Sequence, residues 1–223
     1  MHEIMLAERK NVMPPRPKTQ EEIQIEKDRI LSAALSVLAE DGYGNLTMRS
    51  IAARCGMSAT KIYYYFTNKE DVYFNVMEQG FSTLLELMKQ AYQAGKNEQE
   101  RFCSVCTAIF DFGKNQTYYY EIMFSGRTPR YMDYPESVLP ETVSREKAVA
   151  MDFYRFWEKT VLEFENTHGH QTASYTPIRM FAQIHGAINL YHSNNLREIN
   201  IDYPLLCQNI LVQLVQEIQQ KNT

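Results

Sequence analysis

Between Asn45 and Lys69 the chain carries Arg49, Arg54, Lys61 and Lys69 and no acid, although 27 Asp and Glu in 223 residues would place about three in such a window. Interleaved with these cations are the hydroxyl groups of Thr47, Ser58, Thr60, Tyr63 and Tyr65. Cations and hydroxyls without competing carboxylates suit a surface that meets phosphates. The net charge of −4 conceals this because the imbalance is local: residues 1–70 hold ten Lys and Arg against nine Asp and Glu, residues 71–223 thirteen against eighteen.

Other residues that could do chemistry are less persuasive. Cys103 and Cys106 fall one helical turn apart between Phe102 and Ile109, with no second cysteine pair or nearby histidine to complete a zinc set, so they read as small buried side chains. His168 and His170 offer two ligands without a third, and His185 and His192, seven apart on one helix face, read as an interface feature rather than a catalytic pair. No metal or cofactor is expected. The glycine-rich, P-loop, zinc-protease and nucleophile-elbow motifs are all missing, and the carboxylates show no distinctive pairing, which argues against an enzyme.

The elements that would position these residues are all helical. Residues 1–25, with Pro14, Pro15 and Pro17 among Arg9, Lys10, Arg16 and Lys18, read as a flexible basic arm whose cations add charge near DNA or enter a minor groove. From Glu26 the spacing of Ile30, Leu31, Ala34, Leu35 and Leu38 predicts a first helix ending at Asp41-Gly42. Thr47 is placed to cap a short second helix that Cys55-Gly56 ends, and Ser58 to cap a third from Ala59 to about Phe66. Thr67 and Glu70 have capping-box spacing for a long fourth helix toward Gly95, with Gly80 as a kink or break. Further helices are predicted over about 98–114, 116–124, 144–166, 177–194 and 204–220, with a long loop over 125–141.

The second and third helices with their four-residue turn have helix-turn-helix geometry, in which one helix enters the major groove and the other braces it. The run Leu46-Thr47-Met48-Arg49-Ser50-Ile51-Ala52, then Cys55-Gly56-Met57-Ser58, Ile62-Tyr63-Tyr64-Tyr65-Phe66 and Asn68-Lys69-Glu70-Asp71 resembles the DNA-binding domain of the TetR family. The likeness covers about residues 28–75. Tyr120 to Phe124 and Ile184-His185-Gly186 are similar, more weakly, to segments of one branch of that family's variable C-terminal domain.

The resemblance implies an all-α homodimer with an N-terminal three-helix DNA-binding domain over 26–72 and a larger ligand-binding and dimerisation domain over 73–223. It implies a sequence-specific regulator, by family expectation a repressor released from a palindromic operator by a small apolar or aromatic effector. The alternative is a DNA-binding or protein-interaction module of the same fold without a ligand. Thr47 and Arg49, opening the bracing helix, suit phosphate binding; Ser58, Ala59, Thr60, Lys61 and Tyr63 open the recognition helix, where Lys61 could donate to guanine and Ala59 or Thr60 touch thymine methyls. Tyr65 and Lys69 are similar to the family's phosphate clamps. Packing and exposure are equally compatible with the pattern at Tyr64.

In the larger domain the family's dimer interface would fall on the last two long helices, and Leu205, Leu206, Ile210, Leu211, Leu214, Val215 and Ile218 form a stripe broad enough for a core and a partner. The family's apolar pocket would draw on Phe110, Tyr119, Met123, Phe124, Phe153, Phe156, Trp157, Met180, Phe181 and His185, most of which are expected to pack the core. No apolar run is long enough for a membrane helix and no leader pattern opens the sequence, so a cytoplasmic location is expected, in keeping with four scattered cysteines.

Overall fold

The computed structural model describes residues 16–124, 129–134, 141–167 and 175–220. These are all helical or connecting, without a strand. The first helix, α1, spans Gln20–Asp41 and begins six residues before the apolar periodicity places it. The reason is local: the Thr19 hydroxyl accepts from the Glu22 amide at 3.2 Å and the Glu22 carboxylate accepts from the Thr19 amide at 2.8 Å, a reciprocal cap that starts the helix on polar residues. Residues 20–25 therefore belong to α1 rather than to the arm.

Helix α2 (Met48–Cys55) is capped by Thr47 and closed by Gly56, whose φ of 64° is the left-handed conformation a glycine adopts without a Cβ clash. Helix α3 (Ala59–Tyr63) is capped by Ser58. Ile30, Ala34, Leu38, Leu46, Ile51, Ile62 and Phe66 form the small core that α1, α2 and α3 share. Arg29 of α1 donates to the Cys55 carbonyl at 2.7 Å and so holds the C-terminal end of α2.

Helix α4 spans Lys69–Ala94 without interruption. Its cap is one residue later than predicted: the Asn68 side chain accepts from the Asp71 amide at 2.8 Å, and Asp71 in turn accepts from the Thr67 amide at 2.9 Å. The predicted boundary at 72/73 therefore falls inside a helix common to both domains. Val72, Val76, Phe81, Leu84, Leu85 and Met88 are buried as expected, and Tyr73, Phe74 and Met77 are buried too, because α4 is enclosed on several sides. It packs against α1, α5 (Glu98–Asn115), α6 (Thr117–Phe124) and α7 (Glu141–Asn166). Gly80 does not break the helix; a Cβ there would lie 2.6 Å from the Met123 sulfur and 2.9 Å from the Tyr119 ring, so glycine permits the close approach of α6.

The predicted helix from Pro177 ends earlier than expected. α8 covers Thr176–His192, Asn194 turns the chain at φ 60°, and a one-turn α9 (Asn195–Glu198) follows. Asp202 then caps α10 (Tyr203–Gln220) by accepting from the Leu205 amide at 2.8 Å. Trp157 of α7, fully buried, donates to the Pro177 carbonyl at 2.7 Å, and Arg179 of α8 forms a two-point ion pair with Glu217 of α10. Only Tyr203, Leu214 and Ile218 of α10 are buried; Leu205 and Val212 are 57% and 53% exposed, so its apolar stripe is left half uncovered.

Candidate nucleic-acid interface

The pair α2–α3 carries three of the four cations of the acid-free window, Arg49, Arg54 and Lys61. Thr47 and Ser50 cap each other, which leaves the Met48 and Arg49 amides, ahead of the first intrahelical bond, without helix acceptors. The Arg49 side chain is exposed and makes no hydrogen bond or ion pair among the described residues. A guanidinium beside free amides at a helix start is a phosphate-binding arrangement. Arg54 differs: it is committed to Glu40 at 2.8 Å and Asp41 at 3.5 Å.

On α3 the buried side is Ile62, followed by Phe66, and the exposed side is Thr60, Tyr63 and Tyr64. Tyr64, ambiguous in sequence, is 75% exposed, and its ring meets Tyr65 edge-on at 5.1 Å. Ser58 is exposed but its oxygen accepts from the Lys61 amide at 3.2 Å, so it fixes the start of α3; Ala59 is half-buried beside it. Lys69 lies over the Tyr43 ring at 4.8 Å, at the foot of α4.

Lys61 is not on the open face. It turns toward α1, where its Nζ donates to Glu26 Oε1 at 2.8 Å. The same oxygen takes Lys18 at 3.2 Å, and Lys18 also donates to the Tyr65 hydroxyl at 2.6 Å. The bond from Lys61, then that from Lys18, holds the Glu26 carboxyl below its ordinary range, and the bond to Tyr65 raises Lys18. Arg16 pairs with Glu22 at 2.7 Å. The two described cations of the arm are thus engaged with α1 and α3; Arg9 and Lys10 lie outside the described residues. Sequence reasoning missed Glu26 and the docking of Lys18 because their partners lie 35 and 47 residues away and leave no local pattern.

Residues 30–76 match the model of a family described as bacterial regulatory proteins, tetR family. The N-terminal domain is a TetR-family domain. Among curated proteins this chain is similar to the HTH-type transcriptional activator FasR of Mycolicibacterium smegmatis, 28% identical over 98 residues, and to the fatty acid metabolism regulator protein of Bacillus subtilis, 29% identical over 82 residues. These alignments cover 44% and 37% of this chain and 45% and 42% of those proteins, so the chain spans less than half the length of the curated relatives it matches. Beyond the TetR-family domain the likeness is one of fold. The solved FadR of Bacillus halodurans superposes with a TM-score of 0.67 at 16% identity, over 90% of this chain and 97% of that one. FadR of Bacillus subtilis in complex with stearoyl-CoA gives 0.63 at 19%, over 84% and 97%. Both curated relatives are named as regulators.

The predicted pocket residues do not all converge. Phe124, Phe153, Phe181 and His185 do: Phe124 lies 5.5 Å from Phe181, 6.0 Å from Phe153 and 5.6 Å from His185, and Phe181 stacks on His185 at 6.0 Å. Phe153 is buried, while the other three are partly exposed. Trp157 touches this group through Phe181 at 6.4 Å, but it is fully buried and occupied by Pro177. Tyr119 instead donates to Gln79 of α4 at 2.9 Å, and Met123 fills the space at Gly80, so both serve the α4–α6 contact. Phe110 packs on Tyr203, beside a cleft of about 210 Å³ between α5 and α10. Burial pushes the His185 imidazole toward its neutral form, and its Nδ1 and the Tyr120 hydroxyl share a hydrogen bond at 2.9 Å.

Among the described residues no three His, Cys, Asp or Glu are grouped to hold a metal, and no helix is long and apolar enough to cross a membrane. Cys106 is buried, Cys103 half-buried, and both are free thiols. His168 and His170 lie outside the described residues. His192, at the end of α8, is engaged within the chain: its Nε2 lies 2.8 Å from the Gly113 carbonyl.

Proposed function

We propose that this protein is a sequence-specific DNA-binding transcriptional regulator that acts as a homodimer, with α3 in the major groove and α2 bracing it on phosphates. One observation carries the reading: Arg49 of α2, Thr60 and Tyr63 of α3 and the following Tyr64 are all exposed, in a stretch of sequence from Asn45 to Lys69 that contains no acid. Thr47, Arg49, Tyr65 and Lys69 position the domain on the backbone, and Ser58, Ala59, Thr60 and Tyr63 lie where base edges are read, which Lys61 reaches only on leaving Glu26. A single five-residue α3 makes a small interface, and two copies on half-sites one DNA turn apart supply the missing affinity. The uncovered stripe of α10 with Ile178 and Leu190 of α8, 44% and 42% exposed, is the surface for the second copy.

The effector we propose is apolar and binds at the Phe124, Phe153, Phe181 and His185 cluster. It releases the protein from DNA by favouring a conformer in which the two α3 helices are wrongly spaced. The stearoyl-CoA bound by the Bacillus subtilis FadR makes long acyl chains the first class to test. The experiment is selection of bound sequences from random duplex DNA at physiological salt, followed by titration of acyl-CoA on the selected duplex. A palindromic consensus released by the acyl compound supports the reading; recovery of no preferred sequence overturns it.

A further inference from the structure

The pattern Lys18–Glu26–Lys61 has a consequence for how DNA is chosen. Glu26 stands on α1, but its carboxylate reaches the edge of α3 and there occupies the cations of both α3 and the arm. Only Oε1 is used; Oε2 is buried and has no hydrogen-bond partner. A carboxylate accepts and cannot donate, so Glu26 has no favourable contact to offer a phosphate or a guanine edge. It brings a negative charge to Lys61, a cation of the window that the sequence from Asn45 to Lys69 keeps free of acids.

We propose that Glu26 is a specificity-determining residue for DNA binding: it holds Lys61 and Lys18 in an internal network that any duplex must break, so that only a site engaging the released lysines binds tightly. The inference rests on the DNA-binding reading above. Non-specific binding is almost entirely the exchange of counterions for protein cations along the phosphates. Lysines already neutralised by Glu26 contribute little to that exchange, and the carboxylate repels the backbone. A cognate base edge or a phosphate in register restores the lost bonds, so the penalty falls mainly on wrong sequences.

The test compares the full chain with Glu26→Gln on two probes, a random-sequence duplex and the duplex recovered by selection, across a salt series. The substitution keeps the side chain's shape and removes its charge, and a thermal scan verifies folding. We expect random-duplex affinity to rise about tenfold, operator affinity to rise less, and the random-duplex salt dependence to steepen by about 0.9 for each lysine released per protomer. In a Lys61→Gln background the same change should give a much smaller gain. Unchanged random-duplex affinity and salt slope would overturn the proposal. So would an equal gain in both backgrounds, since the effect would then be one of general charge. Should Glu26→Gln fail to fold, Glu26→Asp, whose shorter arm parts from Lys61 while keeping the charge, replaces it: a gain in salt dependence without a gain in random-duplex affinity supports the brake, and no change in either overturns it. Failure of the unsubstituted protein to bind either duplex overturns the DNA-binding reading itself, a result distinct from all of these.

Discussion

The Thr142 hydroxyl, at the start of α7, donates to the carboxylate of Asp71 at 2.7 Å, in the first turn of α4. Asp71 already accepts from the Thr67 amide and from the Asn75 side chain, so one carboxylate joins the foot of the helix below the DNA-binding domain to the largest helix of the other domain. A cleft of about 480 Å³ opens beside this joint, lined by Asn68, Glu70, Phe74 and Tyr134. Thr142→Val should destabilise the protein by about 1–3 kcal/mol, because Thr142 is buried and one hydrogen bond to a charged acceptor is lost. Denaturant unfolding measures this; an unchanged midpoint would mean the bond adds nothing.

Arg49→Ala should weaken binding nearly uniformly across DNA sequences and lower the salt slope by about 0.9 per protomer, as expected for one phosphate contact. Fluorescence anisotropy on several duplexes at three salt concentrations checks it. A loss confined to one sequence would instead place Arg49 on a base.

Ile62 and Tyr64 lie two residues apart, Ile62 buried within α3 and Tyr64 exposed at its C-terminal end. Ile62→Ala removes a fully buried side chain and should reduce stability by about 2–5 kcal/mol. Tyr64→Ala should leave stability within about 0.5 kcal/mol and reduce operator affinity by about 1 kcal/mol or more. Parallel melts and binding isotherms separate the two; a large stability loss for Tyr64→Ala would refute its place on the DNA face.

Glu146 of α7 is buried, and that burial, assisted by Glu78 and opposed by Arg130, pushes its carboxyl up to about 7. A group that holds its proton more tightly when folded favours folding while protonated. Stability should therefore be highest near the ordinary value of 4.5, so far as this group is concerned, and fall as pH rises through about 7. Glu146→Gln should flatten that fall and raise the melting temperature by roughly 2–8 °C at pH 8, with little effect at pH 4.5. Equal shifts at both pH values would show that the carboxyl's ionisation is not the cause.

Leu205→Lys combined with Val212→Lys places two charges on the uncovered face of α10 without touching its buried side. Sedimentation should give a folded monomer, and operator affinity should fall at least a hundredfold. A dimer that persists would move the interface elsewhere.

Much of the DNA-binding domain was legible because its signals are local. Thr47, Ser58 and the left-handed Gly56 each act within four residues, so the order of types along the chain is sufficient to place α2 and the start of α3, though α3 ends at Tyr63 rather than about Phe66. The start of α4 was displaced by one residue because Thr67 and Asn68 both cap well and only the backbone decides between them. Gly80 read as a break since periodicity cannot see that Met123 and Tyr119 come against it. The same limit applies to Lys61, whose partner Glu26 is on another helix, and to Tyr119, Met123 and Trp157, whose types suit a pocket while their positions serve packing.

The 26 residues of α4 form one unbroken helix, about 39 Å long at 1.5 Å per residue. A rigid rod converts angle into distance. Turning it by about five degrees around its Ala94 end sweeps the Lys69 end through about 3.4 Å, which is the rise of one base pair along a strand. In a two-fold assembly both ends would move, shifting the two recognition helices by up to two base steps relative to DNA whose half-sites are fixed about 34 Å apart. Because α4 continues unbroken through Gly80, against which Met123 and Tyr119 close, a displacement no wider than one side chain in the larger domain would be carried along it to the operator.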